Sequence, residues 1–226
     1  MRQFKAYMTP GLVVLCTLFL FFAMPEIPAS VTPPDVHKSM EVKNEQGYLS
    51  NFTFVDDDIA YMSIWSVITS MDVHNIYHDF VILAKRYNIH NVDLFMYSGG
   101  GDAFSGLALA DLLEKAKKDG FHIVVHASGI IASAAVPIFV VCDERCAAPG
   151  TIFMVHETSI WKWPGNESHS DIISQGKLMD LLRDKYMAKM TKYSKLDLDE
   201  WLKLEAKTTW FSAEQAKKWG LVDRIE

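Results

Sequence analysis

Between Ile59 and Ile225 the apolar positions switch between short continuous runs and stripes that repeat every three or four residues. That is the pattern of strands alternating with helices. Ile59 to Trp65 predicts a strand, and His74 to Tyr87 predicts a helix with Ile76, Tyr77, Phe80, Leu83 and Ala84 on one stripe. Val92 to Tyr97 is the next strand and runs straight into Ser98-Gly99-Gly100-Gly101. A helix from Ala103 to Lys118 follows, with Leu107, Ala110, Leu113 and Ala116 on one face, a basic end that suits its dipole and Gly120 as its stop. Ile123-Val124-Val125 predicts a buried strand ending near Gly129, then small residues and an apolar helix reaching Val141. Pro137 has no N–H to give to the carbonyl four residues back, so this helix starts near Ser133 and not a turn earlier. Thr151 to Val155 predicts another strand, with His156 at its end. The alternation argues for an α/β fold with a mostly parallel sheet and helices packed on it.

Past His156, Trp161 to Ser170 reads as an exposed loop, and a long helix spans Asp171 to Tyr193 with Ser170 or Asp171 as its cap. Its apolar residues, among them Ile172, Ile173, Leu178, Leu181, Leu182, Tyr186, Met187 and Met190, exceed what one packing face requires, which suggests contact with a partner. A short helix over Leu196–Leu204, a helix capped by Ser212 and stopped by Gly220, and a strand over Leu221–Ile225 complete the domain.

The N-terminal region differs in material. Arg2 and Lys5 precede a nearly unbroken apolar stretch from Tyr7 to Met24, long enough to cross a bilayer, with Glu26, Asp35 and Glu41 after it. The stretch is long for a cleaved signal and Ile27-Pro28-Ala29-Ser30 is a poor cleavage site, so a retained anchor is favoured over a removed signal segment. Residues 1–25 are thus expected to be a membrane anchor in the inner (cell) membrane, with the rest outside the cytosol or exported. Residues 26–57 are a proline-rich, then acidic linker, and 58–226 are the folded domain. With 226 residues, half of them hydrophobic, one sizeable core is the default. A net charge of -6 and the lack of a basic stripe argue against a nucleic-acid partner. Cys142 and Cys146 are either a local disulfide of an exported protein or two small buried residues. Neither they nor Asp56-Asp57-Asp58 make a convincing metal site, and no cofactor motif is present.

Taken singly, the triglycine, Ser133 and His156 are a tight turn, a small packing residue and a structural histidine. Their order changes the reading. A glycine-rich turn ends one parallel strand, a serine sits at the next strand-to-helix junction, and a histidine ends the strand after that. All three then fall on one edge of the sheet, where open α/β proteins bind ligands and where a nucleophile, a base and oxyanion donors can converge.

From about Ile59 to Ile225 the chain resembles the proteolytic subunit of the Clp protease, within the ClpP/crotonase superfamily of repeated ββα units. Tyr97-Ser98-Gly99-Gly100-Gly101 is similar to that family's Asn-Ser-Pro-Gly-Gly turn, Gly129-Ile-Ile-Ala-Ser133-Ala to its Gly-x-Ala-Ala-Ser-Met elbow, and Phe153-Met-Val-His156 to its Val-Met-Ile-His. Trp210-Phe-Ser-Ala-Glu-Gln-Ala-Lys-Lys-Trp-Gly-Leu-Val-Asp is similar to its Phe-Leu-Ser-Ala-x-Glu-Ala-x-x-Tyr-Gly-Leu-Val-Asp. The resemblance implies a serine endopeptidase acting on peptides or unfolded protein, with Ser133 as nucleophile, His156 as general base, and the amides of Gly101 and Ala134 as the oxyanion hole. It also implies homo-oligomeric rings. No ATP-binding motif is present, so ATP dependence is not carried over.

Two departures bear on activity. Where the family has its catalytic aspartate this chain has Thr208, which can hold a histidine tautomer but cannot stabilise imidazolium with a charge. This leaves a weak triad, a dyad, or a recruited carboxylate such as Glu205 or Asp171. Asp102, after the triglycine, either faces the site or caps the following helix, and the cap is favoured. The related signal peptide peptidase A and NfeD-like families pair serine with lysine, which makes Lys177 an alternative base; His126 is a weaker rival to His156. A catalytically impaired, membrane-tethered scaffold of the same fold is the other reading.

Overall fold

The computed structural model describes residues 49–50, 52–159 and 166–226. The expected anchor, most of the expected linker and the centre of the loop after His156 lie outside the described residues. Among the described residues no helix is long and apolar enough to cross a membrane.

The elements follow in the order β1 (Thr53–Asp56), β2 (Ile59–Ile64), α1 (Ser70–Ile82), β3 (Asn91–Ser98), α2 (Ala103–Lys118), β4 (His122–Ala132), α3 (Ala135–Val140) and β5 (Glu144–Ala147). Then come β6 (Ile152–Val155), α4 (His169–Lys192), α5 (Leu198–Glu205), β7 (Thr209–Ser212), α6 (Ala213–Lys218) and β8 (Arg224–Ile225). The sheet runs β1-β2-β3-β4-β5-β8, with β6 and β7 attached to the far half of β4. The pairs β2–β3, β3–β4, β4–β5, β4–β6 and β5–β8 are parallel, whereas β1–β2 and β6–β7 are antiparallel.

β4 organises the sheet because it serves two neighbours in turn. Its first half, Val124–Ala127, pairs with β5, and its end, Ile130–Ala132, pairs with β6. The change of partner falls at Gly129, whose φ of 70° bends the strand, and opposite a register shift in β3 between Met96 and Ser98. One side of the sheet is dry: Val92, Leu94 and Met96 of β3 and Ile123 and Val125 of β4 are buried in the main core together with Leu109 and Leu113 of α2 and Ile138 and Phe139 of α3. The alternate residues Phe95 and Tyr97 stay exposed, as period-two alternation dictates for a sheet covered on one face.

Several boundaries differ from the sequence expectation for local reasons. The sheet begins inside the stretch read as linker, since Thr53–Asp56 forms β1. That strand is pinned by the buried Asp79 of α1, whose carboxylate accepts hydrogen bonds from Ser50 N (2.8 Å), Ser50 Oγ (2.6 Å) and Thr53 Oγ1. Asp57, at φ 51°, makes the turn into β2. α1 starts a turn earlier than His74 because Thr69 and Asp72 form a capping box, and it closes in a π-helical turn over Leu83–Tyr87. α4 is capped by Ser168, reciprocally with Asp171, and not by Ser170 or Asp171 itself. The short, charged β5 lies where the sequence pattern shows no strand, and it carries one of the two cysteines. Cys142 follows α3, donating to the Ile138 carbonyl, and Cys146 lies in β5 beside His126 of β4; both are free and buried. Burial pushes their thiols up to about 12 and about 11, and of the two readings the structure holds the pair as small buried residues.

Candidate active site

Two strand ends deliver the central pair. β4 and β6 run parallel with Ala132 beside Met154, so the residues that follow, Ser133 and His156, leave the sheet at the same edge. Ser133 is held between two elements: its N–H donates to the Met154 carbonyl (2.9 Å) and its own carbonyl accepts from Val136 N (3.0 Å) in the first turn of α3. Its φ is 53°, a left-handed conformation that a serine adopts only when its surroundings impose it. The chain thus makes a sharp strand-to-helix elbow that turns the side chain outward from the sheet edge. Ser133 Oγ lies 2.8 Å from His156 Nε2.

The triglycine turn forms the next wall. Ser98 is buried, donates to the Ser66 carbonyl (2.6 Å) and accepts from Gly100 N (3.1 Å), which fixes the turn. A side chain at Gly100 would lie 2.6 Å from the Ser133 Cβ, and one at Gly101 would lie 2.3 Å from the Ile68 carbonyl oxygen, so both positions need glycine for close approach. Ile68 pairs with the residues on either side of Gly101, through Ile68 N to Gly100 O and Asp102 N to Ile68 O, both 2.9 Å. Such a bridge leaves the Gly101 N–H pointing the other way, toward the elbow. Neither it nor the Ala134 N–H is taken up by a hydrogen bond among the described residues. Asp102 caps α2, its Oδ1 accepting from Ser105 N (2.8 Å) and Ser105 Oγ (2.6 Å). Its charge is spent on the helix N-terminus.

These groups border a cavity of about 550 Å³ that also takes in Phe104, Leu178, Leu182, Tyr186 and Glu205. Burial raises the Glu205 carboxyl to about 7, partly opposed by Arg183 and reinforced by Glu157, and burial together with Glu205 drives the Tyr186 phenol upward. The reason Glu205 arrives here is legible in α5: it stands four residues after the buried Trp201, on the same helical face. From the sequence it is only one possible recruited carboxylate, and Tyr186 belongs to a stripe that suggests partner contact. In both cases the clue was helical spacing from an apolar anchor.

Other named residues sort by geometry. Val155 pairs with Thr209, so the register sets Thr208 opposite His156. Thr208 is exposed at φ 49°, and its hydroxyl makes no hydrogen bond to the imidazole. Among the described residues, His156 Nδ1 has no hydrogen-bond partner. Asp171 is occupied by Ser168, whose hydrogen bonds hold its carboxyl below the usual range. Lys177 is exposed and makes no hydrogen bond to Ser133. His126 sits on the open face of the sheet, stacked on Phe95 and bonded through Nδ1 to Glu226 (2.6 Å), away from the elbow. It is therefore not a rival base. Among the described residues, His126, Cys146 and Glu226 are the group whose donor atoms could hold a metal, all within 4.8 Å of one another, but Glu226 is already bonded to His126 Nδ1 and none of the three lines the cavity that holds Ser133.

Fold and geometry together define a class: an α/β protein with a hydrogen-bonded serine–histidine pair and free amides at the carboxyl edge of a mostly parallel sheet. Within that class the chain belongs to the Clp protease family, whose model matches residues 55–226. The ATP-dependent Clp protease proteolytic subunit 3 of Rhizobium meliloti is 27% identical over 165 residues, covering 72% of this chain and 80% of that protein. The proteolytic subunit of Deinococcus radiodurans is 23% identical over 185 residues, covering 81% and 87%. A solved structure of a ClpP1 mutant from Listeria monocytogenes shares the fold, with a TM-score of 0.64 at 19% identity over 74% of this chain and 90% of that one. The expected family and the expected mostly parallel α/β fold are both borne out.

Proposed function

We propose that the protein is a serine endopeptidase in which Ser133 attacks a peptide carbonyl, His156 accepts its proton through Nε2, and the N–H groups of Gly101 and Ala134 receive the developing oxyanion. The observation that carries this is the 2.8 Å contact between Ser133 Oγ and His156 Nε2 beside two uncommitted amides. The imidazole then passes its proton to the leaving amine, and water releases the acyl-enzyme by the same route in reverse. The substrates are peptides or unfolded protein segments, which a cavity of about 550 Å³ beside Ser133 can admit. Ile172, Ile173 and Leu181, exposed along α4, support assembly of several copies. The charge pattern around residues 7–24 supports a single-pass anchor that holds the domain outside the cytosol.

A fluorophosphonate probe tests the reading. It should label the full-length protein and fail on Ser133→Ala and His156→Ala, with Lys177→Ala labelling as well as the parent. Labelling that survives Ser133→Ala rejects the nucleophile, and loss in Lys177→Ala instead of His156→Ala selects a serine–lysine pair. A second reading, a scaffold that has lost turnover, is favoured by one observation: the unsupported Nδ1 of His156. It predicts an unlabelled protein under conditions that label a control hydrolase. Protease protection of the domain in intact cells, lost on opening the outer compartment, would support the location; accessibility only after lysis would reject it.

A further inference from the structure

The cavity holds an anomaly that the acyl-transfer chemistry leaves unexplained. Glu205 is only 4% exposed, yet its carboxyl makes no hydrogen bond and no ion pair among the described residues. Directly beside it, the hydroxyl of Tyr186 is also buried without a hydrogen-bond partner. Buried polar groups in folded proteins are nearly always satisfied, and an isolated buried carboxylate is expensive. Glu205 and Tyr186 line the same cavity as Ser133 and His156, so what they lack can be supplied from that space. Arg183, the nearest basic residue acting on Glu205, is already engaged by Asp180 (3.2 Å) and Asp184 (3.4 Å).

We infer that Glu205, with Tyr186 beside it, is the base of a side-chain subsite that selects a lysine or arginine on the substrate next to the bond attacked by Ser133. Leu178, Leu182 and Phe104 give the walls an apolar character suited to a methylene stem, while the carboxylate meets the cationic head at the far end. The cavity volume of about 550 Å³ admits such a chain with backbone alongside it. Burial keeps Glu205 near about 7, so it is partly neutral while empty and ionises fully when a cation arrives. The inference rests on the peptidase reading above, and its test separates the two.

The test uses the full-length protein and two fluorogenic peptides identical except at the residue whose carbonyl is attacked, lysine in one and norleucine in the other. The lysine peptide should be preferred in kcat/KM by at least about tenfold, the scale of one buried charge-assisted pair. Glu205→Gln should cut that preference by about the same factor, with the loss falling on the lysine peptide. A wild-type ratio near one, or a ratio unmoved by Glu205→Gln, overturns the subsite. Loss of fluorophosphonate labelling in Glu205→Gln also overturns it, because the carboxylate would then serve His156. If the wild type is not labelled at all, the peptidase reading fails by itself. Direct binding of the same two peptides to the Ser133→Ala variant then decides the subsite, with equal affinities rejecting it.

Discussion

Glu114 and Glu205 both pack against α4, and the helix drives them in opposite directions. At its C-terminal end the Glu114 carboxylate accepts from Lys189 (2.7 Å), Lys192 (2.6 Å) and the Tyr193 hydroxyl, and Lys189 also reaches Asp111 (2.6 Å). Burial alone would raise Glu114, but those donors bring it down to about 2. Nearer the middle of the same helix, Leu178 and Leu182 carry no donor and the Tyr186 hydroxyl makes no hydrogen bond to Glu205, and burial takes that carboxyl up to about 7. The first region holds α2 against α4 with every charge answered. The second keeps its polar groups unanswered around a strained serine, which is how a fold reserves interactions for a ligand.

The sharpest way to separate the regions is to remove chemistry from one and pairing from the other. Ser133→Ala should lower peptidase activity by more than about 10³-fold while the unfolding midpoint hardly moves. Parallel kinetics and urea titration would show this, and a large fall in stability would mean that the elbow depends on the hydroxyl. Glu114→Gln should do the reverse. It leaves Lys189 and Lys192 short of a charge and should destabilise the domain by about 2 kcal/mol, with fluorophosphonate labelling per folded molecule retained. If labelling falls with Glu114→Gln, the α2–α4 contact is coupled to the cavity and the division is wrong.

How much of this was legible beforehand follows the same division. The alternation of apolar runs and stripes gave the parallel sheet, because β3 and β4 are long, buried and flanked by periodic helices. Ser133, His156 and the triglycine could be placed on one edge because strand order alone puts parallel carboxyl ends together. What failed was local or long-range. β5 is four residues with a glutamate and an arginine, too short for any period to show. The start of β1 depends on Asp79, twenty-nine residues from Ser50, and no window reads such a bond. Asp171 is a candidate recruited carboxylate by sequence, but its reciprocal cap with Ser168 takes it up. Glu205 was hidden for a different reason: a glutamate on a buried face contradicts the expected pattern, and such contradictions concentrate at sites of function.

A third change moves the site toward the paired condition of the other region. Thr208 lies opposite His156 with φ 49°, a conformation that aspartate tolerates better than a β-branched residue. Thr208→Asp should therefore fold at least as well as the parent, and it would offer a carboxylate to Nδ1, fix the tautomer and stabilise the imidazolium. Labelling by the fluorophosphonate probe should accelerate by about tenfold or more. An unchanged rate would mean that the ring's other nitrogen does not face residue 208, and the third position would have to be sought elsewhere around the cavity.

The smallest effect tests the comparison by pH. Glu205 starts from 4.5 and is held near about 7 in the fold, so between those values the native state binds more protons than the unfolded chain. Stability then falls as pH rises through that window and levels off above it. Glu114, lowered from 4.5 to about 2, has the opposite sign: its contribution is complete above 4.5 and is lost as pH drops toward 2. Tyr186, Arg183 and Glu157 are the groups that act on or feel Glu205, and the attraction of Arg183 limits the penalty, so the fall expected from pH 5 to pH 8 is about 1–2 kcal/mol. Glu205→Gln should flatten that part of the profile and be more stable than the parent at pH 8 but not at pH 5, as measured by urea unfolding. A parent profile that is flat from pH 5 to 8, or one that keeps its slope in Glu205→Gln, would show that this carboxyl is solvated after all, and the contrast between the two ends of α4 would reduce to one well-made ion cluster.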